Sequence, residues 1–231
     1  MELAKTLWQS VLEILFPPIC LNCRIYLQIQ EERENLLCNS CFSRIKIYSN
    51  IFKLDPRFNL MAIGSYEDTA LRELIHYFKY HGFLNVKIPL EKVIIKWLKV
   101  NPALAARLLH PHSLITPIPL HKKRLRERGF NQAEIISTIL AKHLHLPLER
   151  NLLERTRDTK SQMKIKNPRE RETNVKNSIR LKDEGKAALS QYQSIILVDD
   201  IYTSGATVKD AVRVLRSAGV RDITALVIAK T

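Results

Sequence analysis

The stretch that most constrains the fold of this 231-residue chain is residues 194–218. Residues 195–198 are Ile-Ile-Leu-Val, an apolar run without polar alternation, which is typical of a strand buried on both faces of a parallel sheet. Gly219 is placed to end a helix, and residues 223–228 predict the following strand. This order of strand, loop, helix and strand indicates an α/β fold. The apolar face of the predicted helix carries Ala211, Val212, Leu215 and Ala218.

The loop between this strand and this helix carries the groups of a phosphate and sugar site. At a helix start the first N–H groups lack partners within the helix and the dipole is positive, so an anion is stabilised there. Gly205 lets the backbone approach that anion. Asp199 and Asp200 lie where open α/β sheets bind ligands, as acceptors for two ribose hydroxyls or as outer ligands of Mg²⁺. Together these groups predict a phosphorylated ribose as ligand. Further hydroxyl donors are Thr203, Ser204 and Thr207.

A hydroxyl-rich turn alone is also typical of an ordinary capped helix whose neighbouring acids are only solvated. Two acids followed by hydroxyls and a glycine are more specific. Residues 198–207, Val-Asp-Asp-Ile-Tyr-Thr-Ser-Gly-Ala-Thr, closely resemble the signature with which type I phosphoribosyltransferases bind phosphoribosyl pyrophosphate (PRPP). This interpretation requires that the two carboxylates are not buried in unrelated ion pairs and that the protein's own side chains do not plug the turn.

All four cysteines lie in two Cys-x-x-Cys pairs separated by fourteen residues. Two such pairs suit a tetrahedral Zn²⁺, and four thiolates leave no open position for chemistry, so the metal is expected to be structural. A reducing cytoplasm argues against disulfides. We therefore predict an N-terminal helix and zinc-ribbon module over residues 1–50, folded by its metal, and a second domain over residues 51–231. The ligands would be Cys20, Cys23, Cys38 and Cys41.

The net charge of +14 favours polyanionic partners such as nucleic acid, nucleotides or pyrophosphate. This charge is concentrated in residues 121–128 and 154–176, each of which carries +4. Residues 121–128 follow a strand predicted over residues 113–118, so they face the same sheet edge as the acid pair. As a loop with free N–H groups they suit pyrophosphate, although a solvated basic turn is the alternative.

Residues 154–176 have little apolar periodicity and predict a mobile flap over the site, or else an exposed basic loop with no role. Arg155 and Lys160 of this segment are the candidates for catalytic residues. Residues 1–16 predict an amphipathic helix that packs on its own domain rather than on a partner or a membrane. No apolar run is long enough to span a bilayer and no signal peptide is visible, so a cytoplasmic protein that is not integral to a membrane is expected.

Four features in order resemble the ComF (ComFC/GntX) family over nearly the whole chain. The PRPP loop alone would indicate only the phosphoribosyltransferase superfamily, whereas the ribbon and residues 128–132 make the match specific. The four features are the Cys₄ ribbon, Arg-Gly-Phe-Asn-Gln at 128–132 after Pro-Ile-Pro-Leu, the series Arg155, Gln162, Arg171 and Asn174, and residues 198–207.

The resemblance implies a type I phosphoribosyltransferase-like fold, with a parallel sheet flanked by helices, behind a zinc ribbon. By position, Asp199 and Asp200 would hold the ribose hydroxyls. The residues that would hold the 5′-phosphate are Thr203, Ser204, Gly205, Ala206 and Thr207, and those that would meet pyrophosphate are His121, Lys122, Lys123 and Arg124.

The family resemblance also implies a role in natural transformation, in the uptake of single-stranded DNA into the cytoplasm. PRPP with Mg²⁺, single-stranded DNA and other DNA-uptake proteins are therefore the expected partners. The alternative is an active phosphoribosyltransferase with an unidentified acceptor. In that case Mg²⁺ and the basic residues that follow His121 would stabilise the departing pyrophosphate.

Overall fold

The computed structural model describes residues 15, 17–80, 87–157 and 177–231. The predicted N-terminal helix, Lys160 and nearly all of the predicted flap lie outside the described residues. Five strands form the central sheet, in the order β1-β2-β7-β6-β3. The strands are β1 (Ile51–Asp55), β2 (Phe58–Ser65), β3 (Ser113–Pro117), β6 (Ser194–Tyr202) and β7 (Asp222–Lys230).

Four of these strands are parallel, and only β1 pairs with its neighbour β2 in the antiparallel sense. The carboxyl ends of β2, β7, β6 and β3 therefore meet at one edge of the sheet. A separate antiparallel pair is formed by β4 (Leu153–Arg155) and β5 (Ile179–Leu181). The predicted α/β fold, with a mostly parallel sheet flanked by helices, is confirmed.

Helices cover both faces of the sheet, because strands buried on both faces need apolar partners on each. One hydrophobic cluster includes Leu71, Ile94 and Ile136, and a second includes Val212 and Leu215. The helices are α1 (Gln30–Asn35), α2 (Asn39–Arg44), α3 (Thr69–Tyr80), α4 (Lys87–Val100), α5 (Pro102–Leu108), α6 (Lys122–Arg128), α7 (Gln132–Leu144), α8 (Asp183–Leu189) and α9 (Ala206–Ser217).

Side-chain hydrogen bonds and one left-handed glycine set the ends of several helices. The Asp68 carboxylate accepts the N–H of Leu71 at 3.0 Å at the start of α3. The Asn131 side chain accepts the N–H of Ala133 at 3.1 Å at the start of α7. Gly219 ends α9 with a φ of 92°. Short polar side chains before a helix and a glycine after it thus set these ends, as capping physics requires.

The N-terminal module packs directly on helix α4. The Trp97 indole N–H donates to the carbonyl of Tyr48 at 3.1 Å, and the Lys96 ammonium donates to the carbonyls of Ser43 and Ile45 at 3.0 and 3.1 Å. These bonds satisfy carbonyls at and beyond the end of α2, where they have no helical partner. The division of the chain at residue 50 stays a prediction. None of the helices in the described part of the chain combines the length and the apolar character that a membrane crossing needs.

Candidate functional site

The end of β6 and the start of α9 build the predicted loop. Gly205 precedes α9 with a φ of 73°, a left-handed conformation that favours glycine. A Cβ at this position would collide with the phenol of Tyr202, which is buried against the turn. Both the backbone conformation and this close contact therefore require glycine. The tyrosine ring fills the space on its side of the turn.

The hydroxyl residues lie where the sequence predicts them. Thr203, Ser204 and Thr207 are partly buried around the start of α9. The Ser204 hydroxyl accepts the N–H of Ala206 at 3.4 Å. A cavity of about 10 Å³ lies among residues 199–208, which is room for one water-sized group. A phosphate would therefore lie at the mouth of this turn rather than inside it.

The two acids lie within β6, which is longer than the predicted strand and runs through Tyr202. The Asp199 carboxylate accepts the N–H of Asp200 at 2.8 Å. Burial raises the pKa of Asp199 to about 7, and the negative charge of Asp200 adds to this effect. Asp199 can therefore gain or lose a proton near neutral pH, as functional carboxyls in clefts often do.

Asp200 forms an ion pair that the sequence analysis missed. The Lys79 ammonium, from the last turn of α3, lies 2.8 Å from the Asp200 carboxylate, and the two side chains are 14% and 15% exposed. Asp199 has no ion pair among the described residues. The requirement that the carboxylates stay out of other ion pairs is thus met at Asp199 and not at Asp200. A lone lysine among 37 lysines and arginines carries no sequence pattern that would have selected it.

Arg155, one of the two candidate catalytic residues, is buried in β4. Its charge acts to lower the pKa of Asp199, against the larger effect of burial, so the two side chains lie near each other. Two cations from different elements therefore act on the acid pair: Lys79 on α3 pairs with Asp200, and the charge of Arg155 on β4 acts on Asp199. The other candidate, Lys160, lies outside the described residues.

The basic segment after β3 is a helix, α6, rather than the predicted loop with free N–H groups. His121 starts this helix by accepting the N–H of Lys123 at 3.3 Å, and Gly129 ends it with a φ of 79°. The N–H of Ile118 donates to the carbonyl of Val198 at 2.8 Å, which places the start of this segment beside the acid pair's strand. None of the seven residues of α6 is buried. Among the predicted pyrophosphate residues, Lys122 and Lys123 are exposed, and His121 and Arg124 are partly exposed.

Residues 128–132 shape the turn between α6 and α7. The Phe130 ring lies 5.4 Å from the ring of Phe78 on α3. The Asn131 amide donates to the carbonyl of Ile118 at 3.0 Å, and Arg128 donates to Gln132 at 3.1 Å. This motif therefore holds α3, α6 and the end of β3 together at the edge where the acids lie.

The four cysteines form one cluster that fits a metal ion. Their sulfur atoms lie within 4.8 Å of one another and form no disulfide. Cys23 and Cys38 have their sulfurs 3.7 Å apart. Tetrahedral metal–sulfur bonds of about 2.3 Å place the sulfurs about 3.8 Å apart, so the spacing is right for such a site. Burial raises the pKa of Cys41 to about 12, so a bound cation is what would keep this sulfur as a thiolate.

A much larger cavity, of about 960 Å³, lies at the opposite edge of the sheet. It is lined by residues from β5, α8 and the end of α9, including Arg180 and Arg213. Arg180 is paired with Glu154 at 2.6 Å and Arg213 with Asp210 at 3.0 Å. None of the predicted site residues lines this cavity.

No family model matches the chain. Competence protein F of Haemophilus influenzae is 28% identical over 225 residues, which cover 88% of this chain and 93% of that protein. DNA utilization protein YhgH of Escherichia coli strain K12 is 27% identical over 191 residues, or 80% of each chain. Competence protein ComFC of Bacillus subtilis is 30% identical over 164 residues, which cover 68% of this chain and 58% of that protein.

These relatives, 27 to 30% identical over most of the chain, support the ComF family. The resemblance inferred from the cysteine pairs, residues 128–132 and the acid-hydroxyl-glycine loop is therefore confirmed. In this protein the acids, the start of α9 and residues 128–132 occupy one edge of the sheet. The cysteine cluster packs on the outside of α4, in a separate part of the fold.

Proposed function

We propose that this protein is a cytoplasmic factor for the uptake and use of DNA that binds PRPP at the edge formed by β6 and α9. The observation that carries the proposal is the acid pair of β6 followed directly by a glycine that opens a helix. The relatives named for competence and for DNA utilization support the role in DNA handling. Other DNA-uptake proteins are the partners that such a role implies.

Each group of the site has a task in this proposal. Asp199 and Asp200 accept hydrogen bonds from the ribose hydroxyls or hold water bound to Mg²⁺, which would offset the charge of the pyrophosphate. The N–H groups at the start of α9 and the hydroxyls of Thr203, Ser204 and Thr207 hold the 5′-phosphate. His121, Lys122, Lys123 and Arg124 place positive charge where pyrophosphate would lie.

The cysteine cluster is proposed to hold a structural zinc ion. Four thiolates in a tetrahedral arrangement are typical of structural zinc and leave no position open for a substrate. Hydrogen bonds to the sulfurs support the thiolate form. The N–H of Cys41 donates to Cys38 at 3.4 Å, and the Asn22 amide donates to Cys41 at 3.2 Å.

The PRPP site is tested by replacing both carboxyls together, Asp199→Asn with Asp200→Asn. Titration calorimetry with PRPP and Mg²⁺ should show binding to the wild-type protein and a loss of at least about 100-fold in the variant, since both charged acceptors are gone. Transformation of the host should fall with it. Asp222→Asn, an exposed acid at the opposite edge, is the control that should leave binding unchanged. Absence of PRPP binding to the wild type, or full binding by the double variant, would refute the proposal.

Single-stranded DNA is proposed as a second ligand, because α6 presents its basic residues to solvent. Lys122 and Arg126 are exposed on this helix. We expect Lys122→Glu with Arg126→Glu to weaken DNA binding and to reduce the salt dependence of log K by about 1 to 2. Lys99→Glu with Arg107→Glu changes the same charge at exposed positions of α4 and α5 and should have a much smaller effect. Equal affinity of the two double variants at 50 and 200 mM salt would exclude α6 as the DNA surface.

An active phosphoribosyltransferase is the second candidate function. The buried Arg155 near Asp199 favours it, because a fixed cation in a site with little water stabilises a departing pyrophosphate. Release of pyrophosphate from PRPP in the presence of candidate acceptors is the measurement that distinguishes an enzyme from a PRPP-binding factor. A protein that binds PRPP and never releases pyrophosphate is a binding factor.

A further inference from the structure

Lys79 reaches the acid pair from a part of the chain distant in sequence. It lies in the last turn of α3, which is anchored in the core by Leu74 and Phe78. Phe78 also contacts Phe130, in the turn between α6 and α7. The end of α3 is therefore held against the sheet edge, and the position of the Lys79 ammonium at 2.8 Å from Asp200 follows from packing on both sides of it.

This ion pair is largely removed from water, because the Lys79 and Asp200 side chains are only 14% and 15% exposed. Taking two charges out of water costs more than their attraction usually returns, so such a pair seldom adds much to the stability of a fold. The charge of Lys79 also acts on the neighbouring acid, because it lowers the pKa of Asp199 against the larger effect of burial. A role in the binding site accounts for the pair better than a role in folding.

The Lys79 ammonium occupies a carboxylate oxygen of Asp200 that a sugar ligand would also use, so the two compete for this acceptor. We propose, on the basis of the PRPP site proposed above, that Lys79 leaves Asp200 when PRPP binds and pairs with the pyrophosphate group instead. An ammonium this deeply placed needs a nearby anion. PRPP supplies this anion. Its pyrophosphate is attached to the ribose carbon beside the hydroxyls that would donate hydrogen bonds to Asp200.

This exchange makes Lys79 a determinant of specificity. When PRPP binds, an ion pair between Lys79 and the pyrophosphate replaces the ion pair between Lys79 and Asp200. The number of paired charges therefore stays the same. Ribose 5-phosphate has the same hydroxyls and the same 5′-phosphate but no pyrophosphate, so its binding leaves Lys79 without an anion. Lys79 therefore favours PRPP over ribose 5-phosphate, a distinction that the acid pair and the start of α9 cannot make.

The test compares the affinities of PRPP and ribose 5-phosphate, each with Mg²⁺, for wild type, Lys79→Met and Lys79→Arg. The Met variant should lose PRPP affinity by roughly 10- to 100-fold, the range of one charged hydrogen bond, and bind ribose 5-phosphate at least as well as wild type. The Arg variant keeps the charge and should keep most of the preference for PRPP. Lys142→Met is the matched control, because Lys142 also pairs with a carboxylate, Glu91 at 2.9 Å, away from the site.

A second measurement uses the wild-type protein alone. The rate of Lys79 acetylation, followed by mass spectrometry, should rise when ribose 5-phosphate binds and fall when PRPP binds. Unchanged rates, or a Lys79→Met protein with the full wild-type preference for PRPP, would overturn the role of Lys79 and leave the PRPP site intact. If the wild-type protein binds neither ligand, the PRPP site itself is refuted.

Discussion

Asp210 shows how one buried side chain fixes a segment of backbone in this protein. Its carboxylate, on α9, accepts the N–H groups of Asn177, Ser178 and Ile179 at 3.0, 2.8 and 3.0 Å. The Arg213 guanidinium forms an ion pair with the same carboxylate at 3.0 Å, and the Asp210 side chain is only 4% exposed. Asp210 thus holds the start of β5 on α9, the helix that begins at the proposed PRPP loop.

We expect Asp210→Asn to lower the free energy of unfolding by about 2 to 4 kcal/mol. The amide replaces one acceptor with a donor that faces backbone N–H groups, and it leaves Arg213 without its charge partner. Urea unfolding, followed by circular dichroism, measures the change. The control is Asp183→Asn, which removes an exposed ion pair with Lys186 and should leave the unfolding midpoint where it is. A midpoint for Asp210→Asn equal to that of wild type would contradict this account.

At the residue scale, the sequence could identify those residues whose partners in the site are close to them in the chain. Gly205 and the two acids lie within seven consecutive residues, so the order of residues alone indicates a helix start after a strand. Lys79 joins them only through the packing of α3, and no local pattern encodes that contact. Asp210 was missed for the same reason, because its partners lie about 30 residues earlier in the chain.

At the scale of helices and strands, the sequence predicted element type better than element length. The predicted strand at residues 195–198 extends through Tyr202, because the parallel ladder with β7 continues from Asp199 through Tyr202. Hydrophobicity ends at the acids, whereas backbone pairing does not. The acids therefore project from a strand that is held in place on one side, which fixes their positions more firmly than a loop would.

Helix α6 is the element that the sequence analysis assigned wrongly. Its seven residues are almost all charged, so hydrophobic periodicity could not reveal a helix. The residues at its two ends are the ones that indicate a helix. His121 is the N-cap residue, and Gly129 ends the helix in the left-handed conformation. As a helix, α6 presents its basic side chains on a defined surface next to the sheet edge. This geometry suits an extended polyanion as well as a pyrophosphate group.

At the scale of the whole molecule, the cysteine module and the sheet share one hydrophobic core. Cys20, Cys38 and Cys41 belong to the same buried cluster as Leu90 and Trp97 of α4. The two Cys-x-x-Cys pairs predicted the cysteine cluster, but nothing in their spacing showed which surface the module would cover. A metal that folds the module would therefore also stabilise the covering of α4, although it would lie apart from the proposed PRPP site.

Removal of the metal should therefore loosen the module from α4 and expose Trp97. The chain has two tryptophans, so Trp8→Phe leaves Trp97, which is fully buried and bonded to the Tyr48 carbonyl, as the only reporter. We expect a strong chelator to shift its fluorescence to longer wavelength and to lower the thermal midpoint by about 5 °C or more, since structural metal binding contributes directly to folding. The same protein with Cys38→Ser should already show both changes and respond no further. If the metal leaves while emission and midpoint stay unchanged, the module stays packed on α4 without its metal, and the metal has no role in keeping Trp97 covered.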